Sequence, residues 1–335
     1  MVTIYDVAKK ANVSAMTVSR VINNSGRISD KTRSKVKQIM EELNYVPNST
    51  ARSLVKQETK MLSLLIADIT NPFYTTLARG AEDAAMQLGY KLLFGNSDES
   101  LQKEKEYVDM ILSTRVDGVL LAPAGDASLE HLQALKRHNI PFVLLDREVP
   151  GIECDMIVGE SKEGARRLVE HLIGLGHKRI ALVNGSSTIS TARHRFAGYW
   201  EALKLNDIPF DDRLVLELGY KQVQDPSLLD PLLSLEQPPT AIFAANNFLA
   251  TGIISVLRSR GIQVPDDMSI VCFDDLGLAS QLVPFLTVAA QPAYQFGFLG
   301  TQLLLERIQN KNATDWRKLI LPIELITRQS AKALD

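Results

Sequence analysis

The chain has 335 residues, of which 45% are hydrophobic and 23% are charged, so it can bury the cores of about two or three domains. It carries a formal net charge of -2, has two cysteines, and contains no apolar run of the roughly 18 residues that a membrane-spanning helix requires. This composition excludes a membrane-spanning protein and a disulfide framework, and it favours a reducing cytoplasm.

The net charge is unevenly distributed. Residues 1–60 contain 11 Lys and Arg against 5 Asp and Glu, a net charge of +6, whereas the remainder contains 26 against 34, a net charge of -8. A basic end on an acidic body is typical of a protein whose one end faces nucleic-acid phosphates, because repulsion keeps the body away from the polyanion.

Two helices joined by a tight turn are predicted at the amino end. Apolar residues recur at helical spacing at Ile4, Val7, Ala8 and Ala11, and then at Val18, Val21 and Ile22. Residues 12–14 interrupt the pattern, and the hydroxyl of Ser14 is placed to accept from the backbone N–H of Thr17 as an N-cap. The pattern predicts a helix-turn-helix.

The outer face of the second helix suits a DNA major groove. Its residues lie opposite the apolar stripe and are Ala15, Met16, Thr17, Ser19, Arg20 and Asn23. Hydroxyl, amide and guanidinium groups in the first turns of a helix reach base edges and phosphates.

A third helix is predicted from Asp30 to Tyr45, with Asp30 as its N-cap. Its inward residues are Val36, Ile39, Met40 and Leu43. Pro47 prevents the helix from continuing. A further helix at 48–56 is too short and too polar to be stable alone, so something else must order it.

Two motifs in this region are specific, TVSRVIN at 17–23 and NYVPN at 44–48, and with them the whole chain resembles the LacI/GalR family of bacterial transcription regulators. The resemblance implies a helix-turn-helix headpiece at 1–46, a hinge helix and linker at 47–60, and an effector-binding and dimerisation core at 61–335. Its implied partners are double-stranded operator DNA, a small sugar and a second copy of the chain. A homodimer is expected because one headpiece reads few base pairs, whereas a two-fold pair matches a palindromic operator.

The resemblance also assigns roles in DNA binding. Ala15 and Met16 occupy base-reading positions that vary between members, and Arg20 is the best direct reader of guanine. Leu54 on the hinge helix is expected to wedge into the minor groove. The other predicted DNA-binding residues are Thr3, Tyr5, Ser14, Thr17, Ser19, Asn23 and Asn48.

Short β-rich runs alternate with helical stretches from residue 61 onward, a pattern that predicts parallel sheets with helices on both faces. The predicted strands are 62–67, 91–94, 118–122, 141–145, 179–183, 241–244 and 269–273, and the predicted helices are 73–88, 99–114, 128–138, 161–175, 191–205, 246–260 and 293–309. These are too many strands for one sheet. The expected fold is therefore an all-α headpiece plus an α/β core of two doubly wound lobes of periplasmic-binding-protein type. The family implies that the chain crosses between the lobes near 160, 290 and 320.

Ligands of doubly wound sheets bind beyond the carboxyl ends of the strands. The resemblance implies an effector site made of Asn71, Phe73, Arg147, Arg195, Tyr220, Asn246, Asp274 and Gln291. This mixture suits a sugar, whose hydroxyls donate and accept and whose C–H face packs on an aromatic ring. Residues 68–74 and 145–147 are most similar to the ribose-repressor branch, so ribose or another pentose is expected. Two arginines could equally clamp a carboxylate, which leaves a sugar acid open.

Two further functions stay open on the sequence. A catabolite control regulator of this family would respond to a phosphorylated carrier protein rather than to a free sugar. An enzyme would require a nucleophile with a base, or a metal cluster, and the five histidines show no such spacing. We therefore expect a cytoplasmic regulator without catalytic activity, cofactor or metal.

Overall fold

The computed structural model describes residues 2–46, 58–220, 225–310 and 315–334. The chain divides into two compact units, Met1–Thr59 and Lys60–Asp335. The predicted hinge helix, with Asn48 and Leu54, lies outside the described residues. Among the helices of the described ranges, none combines the length and the apolar composition that crossing a bilayer requires.

Within residues 2–46, the described part of the first unit, the chain forms three helices, α1 (Ile4–Ala11), α2 (Ala15–Ile22) and α3 (Asp30–Glu42). All three contribute to one small core, whose buried side chains are Val7, Ala8, Ala11, Val18, Val21, Val36 and Ile39. Asn12 ends α1 in the left-handed conformation, at φ 56°, and so turns the chain into α2. The predicted helix-turn-helix is thus present.

The helix caps test two sequence predictions. Ser14 caps α2 as predicted, accepting from the backbone N–H of Thr17 at 3.1 Å. The prediction for α3 is wrong, because Ser29 accepts from the N–H of Thr32 at 3.3 Å and Asp30 is the first helical residue. A carboxylate there still favours the positive end of the helix dipole. The helix also ends earlier than predicted, at Glu42, because Asn44 is left-handed at φ 47°.

The second unit contains two six-stranded sheets, which we call lobe 1 and lobe 2. The strands of lobe 1, in spatial order, are β2 (Lys91–Asn96), β1 (Met61–Ile66), β3 (Gly118–Leu121), β4 (Phe142–Leu145), β5 (Asp155–Gly159) and β11 (Lys318–Leu321). Those of lobe 2 are β7 (Val215–Glu217), β6 (Ile180–Asn184), β8 (Ala241–Ala244), β9 (Ser269–Phe273), β10 (Thr287–Ala290) and β12 (Glu324–Ile326). Neighbouring strands are parallel except for β10 and β12.

Helices alternate with these strands along the chain. Their bounds are α4 (Pro72–Gln87), α5 (Leu101–Thr114), α6 (Leu129–Arg137), α7 (Ser161–Gly174), α8 (Ser190–Leu205), α9 (Asp230–Leu233), α10 (Asn247–Ser259), α11 (Leu278–Leu282) and α12 (Ala293–Gln309). Alternate residues of β1 enter different cores, Leu64 on one face of the sheet and Leu65 on the other. Apolar cores on both faces confirm the predicted doubly wound architecture.

The chain crosses between the lobes three times. It leaves lobe 1 after β5 and enters lobe 2 with α7, returns from β10 to α12, and passes from β11 to β12. The predicted crossings near 160, 290 and 320 are therefore confirmed. Within the described residues, three short segments join the lobes covalently, an arrangement that permits hinge motion between them.

Helices α4 and α12 pack backbone to backbone in lobe 1. A Cβ atom on Gly80 would lie 2.1 Å from the carbonyl oxygen of Tyr294, and one on Gly297 would lie 1.9 Å from that of Leu77. Side chains cannot be accommodated at such distances. These two glycines thus allow α12, the helix of the second crossing, to anchor in lobe 1.

Candidate functional site

Polar side chains from both lobes meet in one cavity at the carboxyl ends of the strands. The lining residues are Asp68, Asn71, Phe73, Tyr74, Glu99, Asp146, Arg147, Thr191, Arg195, Tyr220, Asn246, Phe248 and Asp274. The free volume among them is only about 20 Å³, enough for about one water molecule. A second cavity of about 560 Å³ adjoins it and shares Glu99 and Tyr220.

Arg147 follows β4 and is 97% buried, since its side chain is 3% exposed. Its two terminal nitrogens bind the carboxylate of Glu99 at 2.7 and 2.6 Å, and Nη1 also donates to the carbonyl of Pro123 at 2.9 Å. Nε is buried without a hydrogen-bond partner in the described structure. Glu99 therefore occupies the fork of Arg147 and leaves one donor unpaired.

Asp146 precedes this arginine and is also buried. Its Oδ2 accepts from the hydroxyl of Tyr74 at 3.1 Å and lies 3.7 Å from Nε of Arg147. Burial raises the pKa of the Asp146 carboxyl, and the charge of Arg147 opposes that rise. Oδ1 is buried with no hydrogen-bond partner among the described atoms, so the cavity offers an unpaired acceptor beside the unpaired donor.

Arg195 from α8 enters the cavity from lobe 2. Its Nη1 donates to the carbonyl of Ala245 at 2.6 Å, and its guanidinium lies over the ring of Phe273, 3.9 Å from the centroid. Nη2 lies 3.5 Å from Oδ2 of Asp274. Nε is buried and unpaired within the described residues, which makes it a second free donor. Stacking on an aromatic ring fixes the plane of this guanidinium.

Asp274 follows β9 and faces Arg195. Its Oδ1 accepts from Nε2 of Gln291 at 2.8 Å. Burial raises the pKa of the Asp274 carboxyl to about 6, although the charge of Arg195 opposes the rise. Gln291 packs behind this carboxylate against Gly159 and does not line the cavity, so it supports Asp274 instead of facing the cavity as the sequence suggested.

Three asparagines lie where the two lobes meet. Asn71 caps α4 by accepting from the N–H of Phe73 at 3.0 Å, and Asn246 caps α10 by accepting from the N–H of Leu249 at 2.8 Å. Asn247, fully buried, donates across the cleft to Oδ1 of Asn71 at 3.0 Å. The N-cap residue of α4 in lobe 1 is thus hydrogen-bonded directly to a residue of lobe 2.

Two aromatic rings complete the cavity. Tyr220 lies against Gly185, where any Cβ would come within 2.7 Å of the ring, and its hydroxyl accepts from Arg195 at 3.4 Å. Phe73 contacts Phe296 edge to face, with centroids 5.4 Å apart, and so belongs to the core of lobe 1 as well as to the cavity wall.

The structure brings together seven of the eight residues that the sequence analysis assigned to the effector site, all except Gln291. Six further lining residues were absent from that assignment, namely Asp68, Tyr74, Glu99, Asp146, Thr191 and Phe248. Asp146 could have been found, because it directly follows a predicted strand. Glu99 could not, since only the fold brings the loop after β2 to Arg147, beyond the end of β4.

The outer face of α2 in the first unit shows an uneven exposure. Met16 is 63% exposed and Arg20 is exposed, whereas the remaining predicted DNA-reading residues of this helix are half-buried, namely Ala15, Thr17, Ser19 and Asn23. Ala15 packs on the small core. Tyr5 is exposed, and Thr3 caps α1 in a reciprocal pair with Asp6. Met16 and Arg20 are therefore the side chains of α2 that protrude furthest.

Both units match known families. Residues 3–48 match the family of bacterial regulatory proteins, lacI family, and residues 59–329 match the family of periplasmic binding proteins and sugar binding domain of LacI family. The chain belongs to the LacI family. It is therefore a bacterial transcriptional regulator by family, and its relatives are regulators and not enzymes.

Curated LacI-family relatives are similar over nearly the whole chain. The HTH-type transcriptional regulator DegA of Bacillus subtilis is 37% identical over 99% of both chains. The ribose operon repressor of Halalkalibacterium halodurans is 36% identical, over 99% of this chain and 98% of its own. Catabolite control protein A of Priestia megaterium is also 36% identical, over 99% of both.

A solved LacI-family structure has the same fold. The Lac repressor dimer bound to operator and the anti-inducer ONPF superimposes with a TM-score of 0.81 at 30% identity, over 99% of both chains. The expected two-lobe architecture with a helix-turn-helix headpiece is thus confirmed by a member of the family.

Proposed function

We propose that this protein is a homodimeric repressor whose affinity for operator DNA is controlled by a small sugar, with ribose or another pentose as the best candidate. The observation that carries the proposal is the set of unpaired buried atoms in the cavity. Arg147 Nε and Arg195 Nε are donors without acceptors, and Asp146 Oδ1 is an acceptor without a donor, among the described atoms. Sugar hydroxyls both donate and accept, so one polyol can satisfy all three.

The aromatic rings support the same class of ligand. Phe73 and Tyr220 are buried on opposite lobes and both line the cavity. A pyranose or furanose ring presents apolar C–H groups that pack against such faces. A few hydrogen-bonding groups between aromatic walls are the mixture that suits a sugar.

Effector binding requires the lobes to move. A volume of about 20 Å³ is too small for a sugar, whereas the adjoining cavity of about 560 Å³ provides a path towards it. Several contacts bridge the cleft, including the ion pair of Arg193 with Asp126 at 2.8 Å and the bond between Asn247 and Asn71. A ligand that binds one lobe arrangement better than another shifts the population between them.

The shift in lobe arrangement alters DNA binding through residues 47–60, which link the core to the headpiece in the sequence. The coupling between effector and operator in such switches is typically about 1–3 kcal/mol. Met16 and Arg20 are proposed to read bases, because they are the exposed residues of α2 in the predicted set. The exposed Tyr5 on α1 is proposed to contact phosphate.

Exposed apolar side chains support the homodimer. The edge strand β2 exposes Leu93 and Phe94, and the segment around α11 exposes Leu278, Leu282 and Val283. Clusters of exposed apolar residues on a folded domain mark interaction surfaces. The solved Lac repressor structure is a dimer.

A thermal-shift panel on the purified full-length protein tests the effector proposal. The panel contains pentoses, hexoses, sugar acids, sugar phosphates and nucleobases. A ligand at 100 times its dissociation constant adds about 2.7 kcal/mol to the stability of the core, which raises its melting temperature measurably. Stabilisation by a pentose alone supports the proposal, and no shift from any sugar contradicts it.

The similarity to catabolite control protein A favours a second candidate, a regulator that responds to a phosphorylated carrier protein. Under this alternative free sugars leave the melting temperature unchanged, and operator affinity changes only when the phosphorylated carrier is added. Mixing the protein with the phosphorylated and unphosphorylated carrier in an operator-binding assay distinguishes the two.

A further inference from the structure

The ion pair between Glu99 and Arg147 determines what Arg147 can offer a ligand. Both terminal nitrogens of the guanidinium are bound to the Glu99 carboxylate, and the side chain of Glu99 is itself 11% exposed. A bidentate arginine–carboxylate pair is among the strongest charge-assisted contacts in proteins. A carboxylate or phosphate ligand that used the fork of Arg147 would have to displace Glu99.

The position of Glu99 is fixed by the backbone. Asp98 and Glu99 are both left-handed, at φ 55° and 56°, and the N–H of Glu99 donates to the carbonyl of Ala67 at 2.9 Å. The loop therefore turns sharply after β2, and the Glu99 carboxylate reaches Arg147 beyond the end of β4. This carboxylate lines both the central cavity and the adjoining one, so an incoming ligand meets it.

Among the described lining residues, acidic groups outnumber basic ones. The cations are Arg147 and Arg195, whereas the acids are Asp68, Glu99, Asp146 and Asp274. An anionic ligand must leave water for a site in which carboxylates outnumber guanidiniums, and this desolvation is unfavourable without a free cationic partner. The cavity's unpaired atoms, two arginine Nε groups and one carboxylate oxygen, match the donors and acceptors of sugar hydroxyl groups.

We propose that Glu99 serves as the internal counter-anion of Arg147 and restricts the effector to uncharged sugars, so that sugar acids and sugar phosphates are excluded. The inference rests on the proposed sugar-responsive function and narrows it. Glu99 determines specificity because it already binds the two terminal nitrogens of Arg147. The cationic group that would recognise an anionic ligand is therefore occupied.

Matched ligand pairs test this inference by isothermal titration calorimetry on the full-length protein. The probes are ribose with ribonate, glucose with gluconate, and ribose with ribose 5-phosphate. The wild type is expected to bind the neutral member of the pair it recognises at least 100-fold more tightly than the anionic one. In Glu99→Gln, which keeps the shape and removes the charge, this ratio is expected to fall at least tenfold through a gain in affinity for the anion.

Two control variants keep the test interpretable. Glu99→Asp retains the charge and is expected to retain the discrimination. Glu130→Gln makes the same charge change at an exposed position on α6 that lines neither cavity. Its ratio of neutral-sugar to anionic-sugar affinity is expected to equal that of the wild type.

Different outcomes overturn different claims. Wild-type protein that binds ribonate or gluconate as tightly as the parent sugar overturns the exclusion. A Glu99→Gln variant whose ratio of neutral-sugar to anionic-sugar affinity stays within threefold of the wild-type ratio also overturns it. The same holds if Glu99→Asp loses as much discrimination as Glu99→Gln. Wild-type protein that binds no neutral and no acidic sugar overturns the proposed function itself, and this inference with it.

Discussion

Asp146 and Asp274 occupy equivalent positions in the two lobes. Each directly follows the fourth strand of its sheet in spatial order, and each is left-handed, at φ 68° and 67°. Each accepts a hydrogen bond from a neutral side chain and faces an arginine, at 3.7 Å for Asp146 and 3.5 Å for Asp274. Two carboxylates, one from each lobe, therefore line the same cavity.

The first prediction concerns the pH dependence of stability through Asp274. Its folded pKa of about 6 lies above the ordinary value of 3.8, so the folded protein holds this proton more tightly than the unfolded chain does. The stabilisation is present near pH 4 and is lost as the pH rises through 6. It amounts to at most about 3 kcal/mol, since one pKa unit corresponds to about 1.4 kcal/mol.

Urea unfolding of wild type and Asp274→Asn between pH 4 and pH 7.5 measures this contribution. The free energy of unfolding of the wild type should fall relative to that of the variant as the pH rises through this window. A constant difference across the range would show that Asp274 does not titrate there.

The second prediction concerns the bond between Asn71 and Asn247. Because this hydrogen bond joins the lobes in the protein interior, its removal should lower the free energy of unfolding by about 0.5–1.5 kcal/mol, as for a typical buried hydrogen bond. A double-mutant cycle with Asn71→Ala and Asn247→Ala separates this coupling from the loss of the α4 cap. Strictly additive effects on unfolding would contradict a direct bond.

The third prediction concerns the contact between α4 and α12. Gly297→Ala should lower the free energy of unfolding of the core by roughly 1–3 kcal/mol or more, because overpacking displaces neighbouring atoms and the added methyl here meets backbone. Gly174→Ala is the matched control, since no atom lies within 4 Å of a Cβ on that helical residue. The control should be neutral or stabilising by up to about 1 kcal/mol. Equal effects of the two substitutions would argue against close packing at Gly297.

The fourth prediction concerns base reading by Met16. Its side chain is 63% exposed, so Met16→Ala should leave the stability of the headpiece within about 0.5 kcal/mol of wild type while changing the preferred bases. Selection of bound sequences from a random DNA library measures the preference. Val18→Ala at a fully buried position is the control for loss of packing. A uniform loss of affinity across all sequences for Met16→Ala would place this residue outside direct readout.

The sequence predicted the architecture because the signals were local. All seven predicted strands are present. The strands that were missed are β5, β7, β10, β11 and β12. Two of them, β11 and β12, flank a crossing, and their pairing depends on partners more than 30 residues away. Such strands exist through tertiary contacts and carry little local signal.

The sequence predicted most of the residues that meet in the cavity, but it did not predict which of them pair with each other. Arg147 was assigned to the effector, and the structure shows its fork already bound by Glu99. This partner is 48 residues away along the chain, so no spacing rule indicates it. Gln291 was assigned to the ligand as well, and its amide instead supports Asp274. Residue types at strand ends identify a site, whereas the pairing of charges within it follows from the fold.

An operator titration with and without sugar tests the control of DNA binding most directly. A fluorescently labelled duplex, whose sequence is first selected from a random library by binding to the protein, is titrated with protein, and anisotropy is read without sugar and with saturating ribose. Control by a pentose changes the operator Kd at least fivefold, which corresponds to about 1 kcal/mol of coupling. Arg195→Ala should keep the sugar-free Kd and lose the response, whereas Arg213→Ala, on an exposed side chain outside the cavity, should keep both. An operator Kd that stays the same with every sugar tested would contradict control of DNA binding by a sugar.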